Sequence, residues 1–301
     1  MPKLSEIGED ALVEQITARL QAGKNVIAGA GDDDCAIIRK RATPEVLTLL
    51  KSDCIVEGVH YLPETPPSKV GWKAMARAIS DIAAMGGVPE QALVTLVIQP
   101  ERELNYVRGL YKGLEKAARD HNVSIVGGET AGCAGAAMIS ISLTGHVEKS
   151  HCARRSTGRP GDTLYVTGQL GGSIGGRHLT FRPRLAEARW LATHFNLRAM
   201  MDLSDGLARD LPRLAAASGT GYQIEPEKLP RNRGCSIEQA ATDGEDYELL
   251  FAIGPRDSRR LAATWPKKFP KLPLTKIGYL TKKGTAKGLE SGGGWEHFKS
   301  S

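Results

Sequence analysis

Five acidic clusters are spread along this chain, and their dispersal constrains its fold more than any other feature. They are Asp32-Asp33-Asp34, Ser52-Asp53, Ser80-Asp81, Gly127-Gly128-Glu129-Thr130 and Asp202-Leu203-Ser204-Asp205-Gly206. Each reads as a strand end or a turn. Each joins carboxylates to Ser, Thr or Gly, the oxygen-bearing or backbone-exposing neighbours that suit hard divalent cations. A fold that gathers them builds a site for several Mg²⁺ ions. The chain is otherwise basic, with 40 Lys and Arg against 34 Asp and Glu and a net charge of +6. Acidic ligand groups on a basic protein point to phosphate chemistry. The basic residues are dispersed, with mild concentrations at Arg39-Lys40-Arg41, Arg154-Arg155 and Lys267-Lys268. No DNA- or RNA-binding signature accompanies them, so an anionic small molecule is the expected partner rather than nucleic acid.

At roughly 100–200 residues per domain, 301 residues favour two domains. Aromatic residues make up only 5%, so the core must rest on Ala, Val, Ile and Leu. The five cysteines, Cys35, Cys54, Cys133, Cys152 and Cys235, are odd in number and form no CxxC. That argues against a disulfide framework and a structural zinc site, and fits a reducing cytoplasm. The segment Met1-Pro2-Lys3-Leu4-Ser5-Glu6 has no apolar stretch of a signal peptide. No apolar run approaches the roughly 20 residues that span a bilayer.

Periodicity predicts an amphipathic helix over 5–22, with Leu12, Ile16 and Leu20 at i+4 spacing. Short strands follow at 34–38 and 46–50, the second running into Lys51-Ser52-Asp53. A helix over 68–85 carries Val70, Ala74, Ala78, Ile82 and Met85 on one face and stops at Gly86-Gly87. Strands at 92–98, 123–126 and 137–147 surround a helix at 101–120. After the turn-rich stretch 155–162, strands are expected at 163–167, 221–225, 248–253 and 275–280, and helices near 185–195 and 206–218. Residues 282–294 read as a loop. Strands and helices interleave in both halves, so each is α/β or α+β, with the boundary near residue 150.

The glycine-rich segments match no standard nucleotide loop. There is no GxxxxGK[ST], no GxGxxG between strand and helix, and no HRD and DFG pair, which excludes a P-loop kinase, a Rossmann dehydrogenase and a protein kinase. ATP, if bound, must then be held through metal ions and carboxylates. Singly, each cluster has a plain structural explanation. Asp33-Asp34 suits a solvated turn, and Ser204 or Asp205 suits a helix N-cap. Ser80-Asp81 is harder to dismiss, because an Asp between Ile79 and Ile82 of an apolar helix is costly unless paired or metal-bound.

Taken together, the segments resemble thiamine-phosphate kinases of the aminoimidazole-ribonucleotide synthase (PurM-like) superfamily. The matching pieces are Asp33 to Ala36; Ser52-Asp53 with Val56 to Tyr61; Ser80 to Gly87 with Pro89; Gly127 to Thr130; Arg155-Ser156 with Pro160-Gly161-Asp162; Met201 to Leu207; Gly244 to Phe251; and Gly294-Trp295-Glu296-His297-Phe298. Eight segments in one order over residues 33–298 make a specific match. The resemblance implies an N-terminal domain over 1–150 that dimerises and a C-terminal α+β domain over 151–301. It implies direct transfer of the ATP γ-phosphate to thiamine monophosphate, with several Mg²⁺ ions and no phospho-enzyme.

Position by position, the resemblance assigns Asp34, Ser52, Asp53, Asp81, Glu129, Asp202 and Asp205 to metal, with Asp33 the alternative to Asp34. It assigns Gly128, Glu129, Arg155 and Ser204 to ATP, and His60, Glu245 and Trp295 to substrate. Trp295 would stack on a thiamine ring and Glu245 would balance its positive charge. Without it, His60 reads as a loop histidine and Trp295 as a tail residue tucked on the core. The chain departs from the family pattern at the extra Asp32, at Lys51 in place of Ser or Thr, at Glu129 in place of Asp, and at Asp243 in place of Gly. Two other readings stay open at this point: the same ATP chemistry on another phosphorylated substrate, and a paralogue that binds nucleotide without turnover.

Overall fold

The computed structural model describes residues 6, 9–18, 23–29, 31–40, 42–289 and 293–296. The first half builds a six-stranded sheet from β1 (Val26–Ala28), β2 (Ala36–Arg39), β3 (Val46–Val56), β4 (Val88–Ile98), β5 (Ser124–Gly132) and β6 (Met138–Glu148). Their order is β1-β2-β3-β6-β4-β5, with only β4 and β5 parallel. A short helix, α1 (Glu9–Thr17), precedes the sheet; α2 (Pro67–Ala84) and α3 (Leu104–Asp120) follow. Strand alternation sends Leu47, Leu49 and Ile55 of β3 into the core beneath α2. Ser52 and Cys54, between them in register, stay exposed on the opposite, open face.

The second half forms another six-stranded sheet from β7 (Thr163–Thr167), β8 (Leu197–Asp202), β9 (Gly221–Ile224), β10 (Leu249–Ile253), β11 (Leu274–Thr281) and β12 (Ala286–Lys287). Its order is β12-β9-β11-β7-β10-β8. Here β7 and β10 are buried throughout, because both faces are covered. On one face α4 (Leu185–His194) and α7 (Pro255–Lys268) pack Leu191, Leu261 and Trp265 against Tyr165 and Phe251. On the other, α5 (Leu207–Ala217) and α6 (Ile237–Thr242) pack Leu211, Leu214 and Ala240 against Leu164 and Val166.

Helix α2 joins the two halves. Pro67 opens it, where a missing N–H costs nothing, and Gly86 ends it in the left-handed region at φ 68°. Trp72 Nε1 donates to the Phe181 carbonyl at 2.8 Å, and Ala83 enters the second half's core. Close approach to α3 depends on two glycines. A Cβ on Gly71 would lie 2.0 Å from the Leu110 carbonyl oxygen, and one on Gly113 would lie 2.0 Å from that of Ser68.

Several expectations change. Residues 124–132 are one strand, so Gly127-Gly128-Glu129-Thr130 is neither turn nor strand end; pairing with β4 carries the strand through its glycines. Likewise β3 continues through Ser52-Asp53 to Val56. The N-cap of α5 is Gly206, not Ser204 or Asp205. Among the described residues, five strands and α-helices appear that periodicity did not signal: β1, β8, α6, α7 and β12. In α7 the inward contacts rest on Leu261 and Trp265 amid charged residues and two prolines, too thin a stripe to read. Leu20 of the first predicted helix, and His297 and Phe298, lie outside the described residues.

Because α2 and α3 touch through backbone, Gly71→Ala or Gly113→Ala should destabilise the chain by about 2–3 kcal/mol through overpacking. Urea unfolding measures it; a change below about 0.5 kcal/mol would contradict the close-approach argument.

Candidate active site

Polar groups on α2 recur at Lys73, Arg77, Ser80 and Asp81, the i, i+4, i+7, i+8 spacing of one helix face. That stripe lies between the halves: Lys73 and Ser80 bond Glu245 and Asp202 of the second, and Arg77 and Asp81 pair with Asp53 and Lys51 of β3. Asp81 meets Asp34, two residues before β2, and Asp202, the last residue of β8; one ligand oxygen from each lies within 4.8 Å of the others. Three dispersed clusters therefore converge. Ser80 Oγ donates to Asp202 Oδ2 at 2.5 Å. Lys51 Nζ pairs with Asp81 Oδ2 at 3.0 Å, and the Arg155 guanidinium grips both oxygens of Asp34, Nε at 3.2 Å from Oδ2. Asp33 turns aside and accepts from the Arg155 backbone N–H at 3.3 Å. Of the two adjacent aspartates, Asp34 is thus the one in the triad.

Burial raises the pKa of Asp202 to about 7, helped by the neighbouring Asp34 charge and opposed by the Ser80 hydroxyl. Burial likewise pushes Asp81 up, against the pull of Lys51. Three buried carboxylates this close repel one another and lack water. A divalent cation coordinated by oxygen relieves both penalties, so the donor set fits Mg²⁺.

Beside the triad lies a pocket of about 400 Å³ whose walls include His60, Leu62, Arg77, Ile174, Glu245 and Trp295, and also Ser204 and Asp205 from the loop after Asp202. Glu245 adopts φ 54° and Tyr247 φ 51°, uncommon for residues with long side chains. Two contacts hold this loop. Tyr247 stacks on Phe181 with ring centroids 3.9 Å apart, and Glu245 pairs with Lys73. Lys73 has 0% exposure and also donates to the His60 carbonyl at 2.6 Å, tying the two pocket loops together. Burial lowers its pKa to about 8, partly offset by Glu245. His60 Nδ1 accepts from the Val56 N–H at 3.0 Å, which leaves Nε2 protonated in the neutral ring. Trp295 is held by its backbone N–H, 2.9 Å from the Asp205 carbonyl.

Not every sequence-assigned residue joins the triad. Asp53 pairs with Arg77 at 3.1 Å on the helix side of β3. Asp205 pairs with Arg213 at 2.5 Å and lines the pocket. Alternation puts Ser52 on the open face of the sheet, away from Asp53. Glu129 stands in register with Thr95 on that same open face, and its Oε1 accepts from the Thr130 N–H at 2.8 Å. The structure therefore does not bring Ser52 or Glu129 to Asp34, Asp81 and Asp202. Gly128 has a packing reason, since a Cβ there would lie 1.8 Å from the Val94 carbonyl oxygen. Sequence reasoning missed Lys73 and Arg77, although their helical spacing from Ser80 and Asp81 was available as a signal.

This geometry agrees with the comparisons. Residues 32–147 match the AIR synthase related protein N-terminal domain, and residues 159–288 its C-terminal domain. A thiamine-monophosphate kinase of Rhodopirellula baltica is 35% identical over 90% of this chain and 88% of its own length. The chain belongs to the thiamine-monophosphate kinase family. A second member of this family, from Bacillus subtilis, is 30% identical over 92% of both chains. The fold superposes on AaThiL complexed with AMPPCP and TMP with a TM-score of 0.85 and 29% identity over 99% of both chains. The two-domain architecture expected for the family is thus present, with α-helices on mixed sheets in each half.

A raised carboxyl pKa in the fold stabilises the protonated form. Its contribution is complete below the unfolded value near 3.9 and is lost as pH rises through about 7, the folded value for Asp202. In chelator, wild-type protein should lose stability between pH 5 and pH 7 relative to Asp202→Asn, by up to about 1.4 kcal/mol per pH unit. Parallel melting-temperature curves for the two proteins across that range would contradict the shift.

Proposed function

We propose that this chain transfers the γ-phosphate of ATP to the phosphate of thiamine monophosphate, giving thiamine diphosphate and ADP. The observation that carries the reading is adjacency: the Asp34–Asp81–Asp202 triad and the pocket share the loop 202–205. A substrate whose ring sits against Trp295 can then present its phosphate toward the carboxylates. Apolar Leu62 and Ile174 suit the ring system, and Glu245 suits its positive charge. The relatives and the AaThiL complex support this substrate pair over the same chemistry on another phosphorylated acceptor.

Asp34, Asp81 and Asp202 would hold Mg²⁺, with Asp53 and Asp205 close by. The ion supplies charge neutralisation for two phosphates brought together as anions. The residues of the chain do the rest. Arg155 offers planar N–H donors, Ser204 a hydroxyl, and Lys73 fixes Glu245 for the substrate ring. Ser52 and Glu129 lie on the open face of the first sheet and Gly128 packs on Val94 in its edge strand, and ATP or metal roles for them would require that part of the sheet to take part. We place the domain division near residue 150, between β6 and β7, and the protein in a reducing cytoplasm. No described helix is long and apolar enough to cross a membrane.

The open face also suits a homodimer. It leaves Leu93 47% and Leu50 39% exposed, and the edge strand β5 leaves Val126 61% exposed. Val126→Asp should shift the molar mass measured by light scattering from dimer to monomer, and a monomeric wild type would remove this part of the reading.

Purified protein with Mg-ATP and thiamine monophosphate should form thiamine diphosphate, resolved by chromatography. No product, while a control kinase turns over, would sink the assignment. Asp202→Ala should lower kcat by at least about 100-fold. Trp295→Ala should raise the KM for thiamine monophosphate by about tenfold and leave that for ATP unchanged.

A further inference from the structure

We propose that the Lys51 ammonium is a built-in cation of the acidic site, filling beside Asp81 a position that a divalent ion would otherwise share. The inference rests on the reading above that the triad holds metal.

Lys51 is central in β3, and alternation turns it inward with Asp53, toward α2. Its side chain is only 22% exposed and its Nζ lies 3.0 Å from Asp81 Oδ2. Asp53, Asp34 and Asp202 are the other nearby acids; Asp53 and Asp34 have the guanidinium partners Arg77 and Arg155, and Asp202 accepts from the Ser80 hydroxyl. Swinging Lys51 to solvent would break its contact with Asp81. Among Asp34, Asp81 and Asp202, three negative charges meet two fixed cations, Arg155 and Lys51, which leaves a net charge of −1. Two of the three carboxylates are thus partly neutralised before any ion arrives. Such a site retains enough charge for one divalent ion and too little for a closely spaced pair. An ammonium also differs from a hydroxyl in kind: it is donor-only and cannot ligate a metal.

The test counts ions. Chelator-treated full-length protein is titrated with Mn²⁺ alone, and free ion is read by electron paramagnetic resonance. Lys51→Ser, which removes the charge and supplies an oxygen, should bind one more equivalent than wild type. Lys51→Met, which only removes the charge, should tighten the retained site at least tenfold, and Lys51→Arg should match wild type. Equal number and affinity in all four proteins would overturn the proposal. Absence of bound Mn²⁺ in every protein would sink the metal reading as well, so the two failures differ. Should the neutral variants not fold, the wild type still decides. Modification of Lys51 by trinitrobenzenesulfonate, read by mass spectrometry, should stay suppressed at saturating Mn²⁺. A Lys51 that becomes reactive as metal binds has been displaced, and the assignment falls.

Discussion

The structure depends on burying a helix that is not apolar. Helix α2 lies between the two halves with Lys73, Ser80 and Asp81 removed from solvent. Burying such groups unpaired would cost more than a domain's net stability. Each must therefore find a partner: Lys51 of β3 serves Asp81, while the other half supplies Glu245 for Lys73 and Asp202 for Ser80. This requirement fixes the relative position of the two sheets. It also explains why the site forms where it does, since the groups that α2 must satisfy are the groups that chemistry uses. Close contact with α3 through Gly71 and Gly113 holds the helix at the depth where those partners reach it.

Paired charges of this kind seldom add net stability, because desolvation consumes most of the attraction. Their effect here is geometric. Arg155 holds Asp34, Lys51 holds Asp81, and Ser80 holds Asp202, so each carboxylate of the triad is aimed by a different element. A site aimed in this way needs little reorganisation when phosphates arrive, which is where electrostatic catalysis gains most. The cost is visible in the raised pKa of Asp202 and Asp81, whose charged forms the fold holds at a disadvantage.

Much of this was legible in the amino-acid order. Asp81 stood out as a carboxylate within an apolar helix, whereas Asp34, with Asp33 as its alternative, and Asp202 were singled out through the family resemblance. Ser52 and Glu129 looked equivalent to them, yet they project from the open face, because a motif records neighbours along the chain and not which side of a sheet a residue takes. Once β3 is seen to run unbroken to Val56, period-two alternation separates Ser52 from Asp53. Lys73 was passed over for a different reason. Attention to carboxylates hid the cations that position them, and only long-range packing shows that this lysine is enclosed. Helix α7 escaped because its stability comes from two buried side chains and not from a periodic stripe.

The left-handed turn at Glu245 and Tyr247 has a further consequence. Two side chains on a backbone that favours glycine amount to stored strain of about 1–3 kcal/mol each. Glycine at either position would relax the loop and erase the pocket wall. Sequence drift there is consequently caught between a more comfortable backbone and an occupied pocket. Phe181 and Lys73 are the groups that hold the two positions down against that strain. The pocket loop and the helix that clamps it thus form a single mechanical unit, although 172 positions separate Lys73 from Glu245 along the chain.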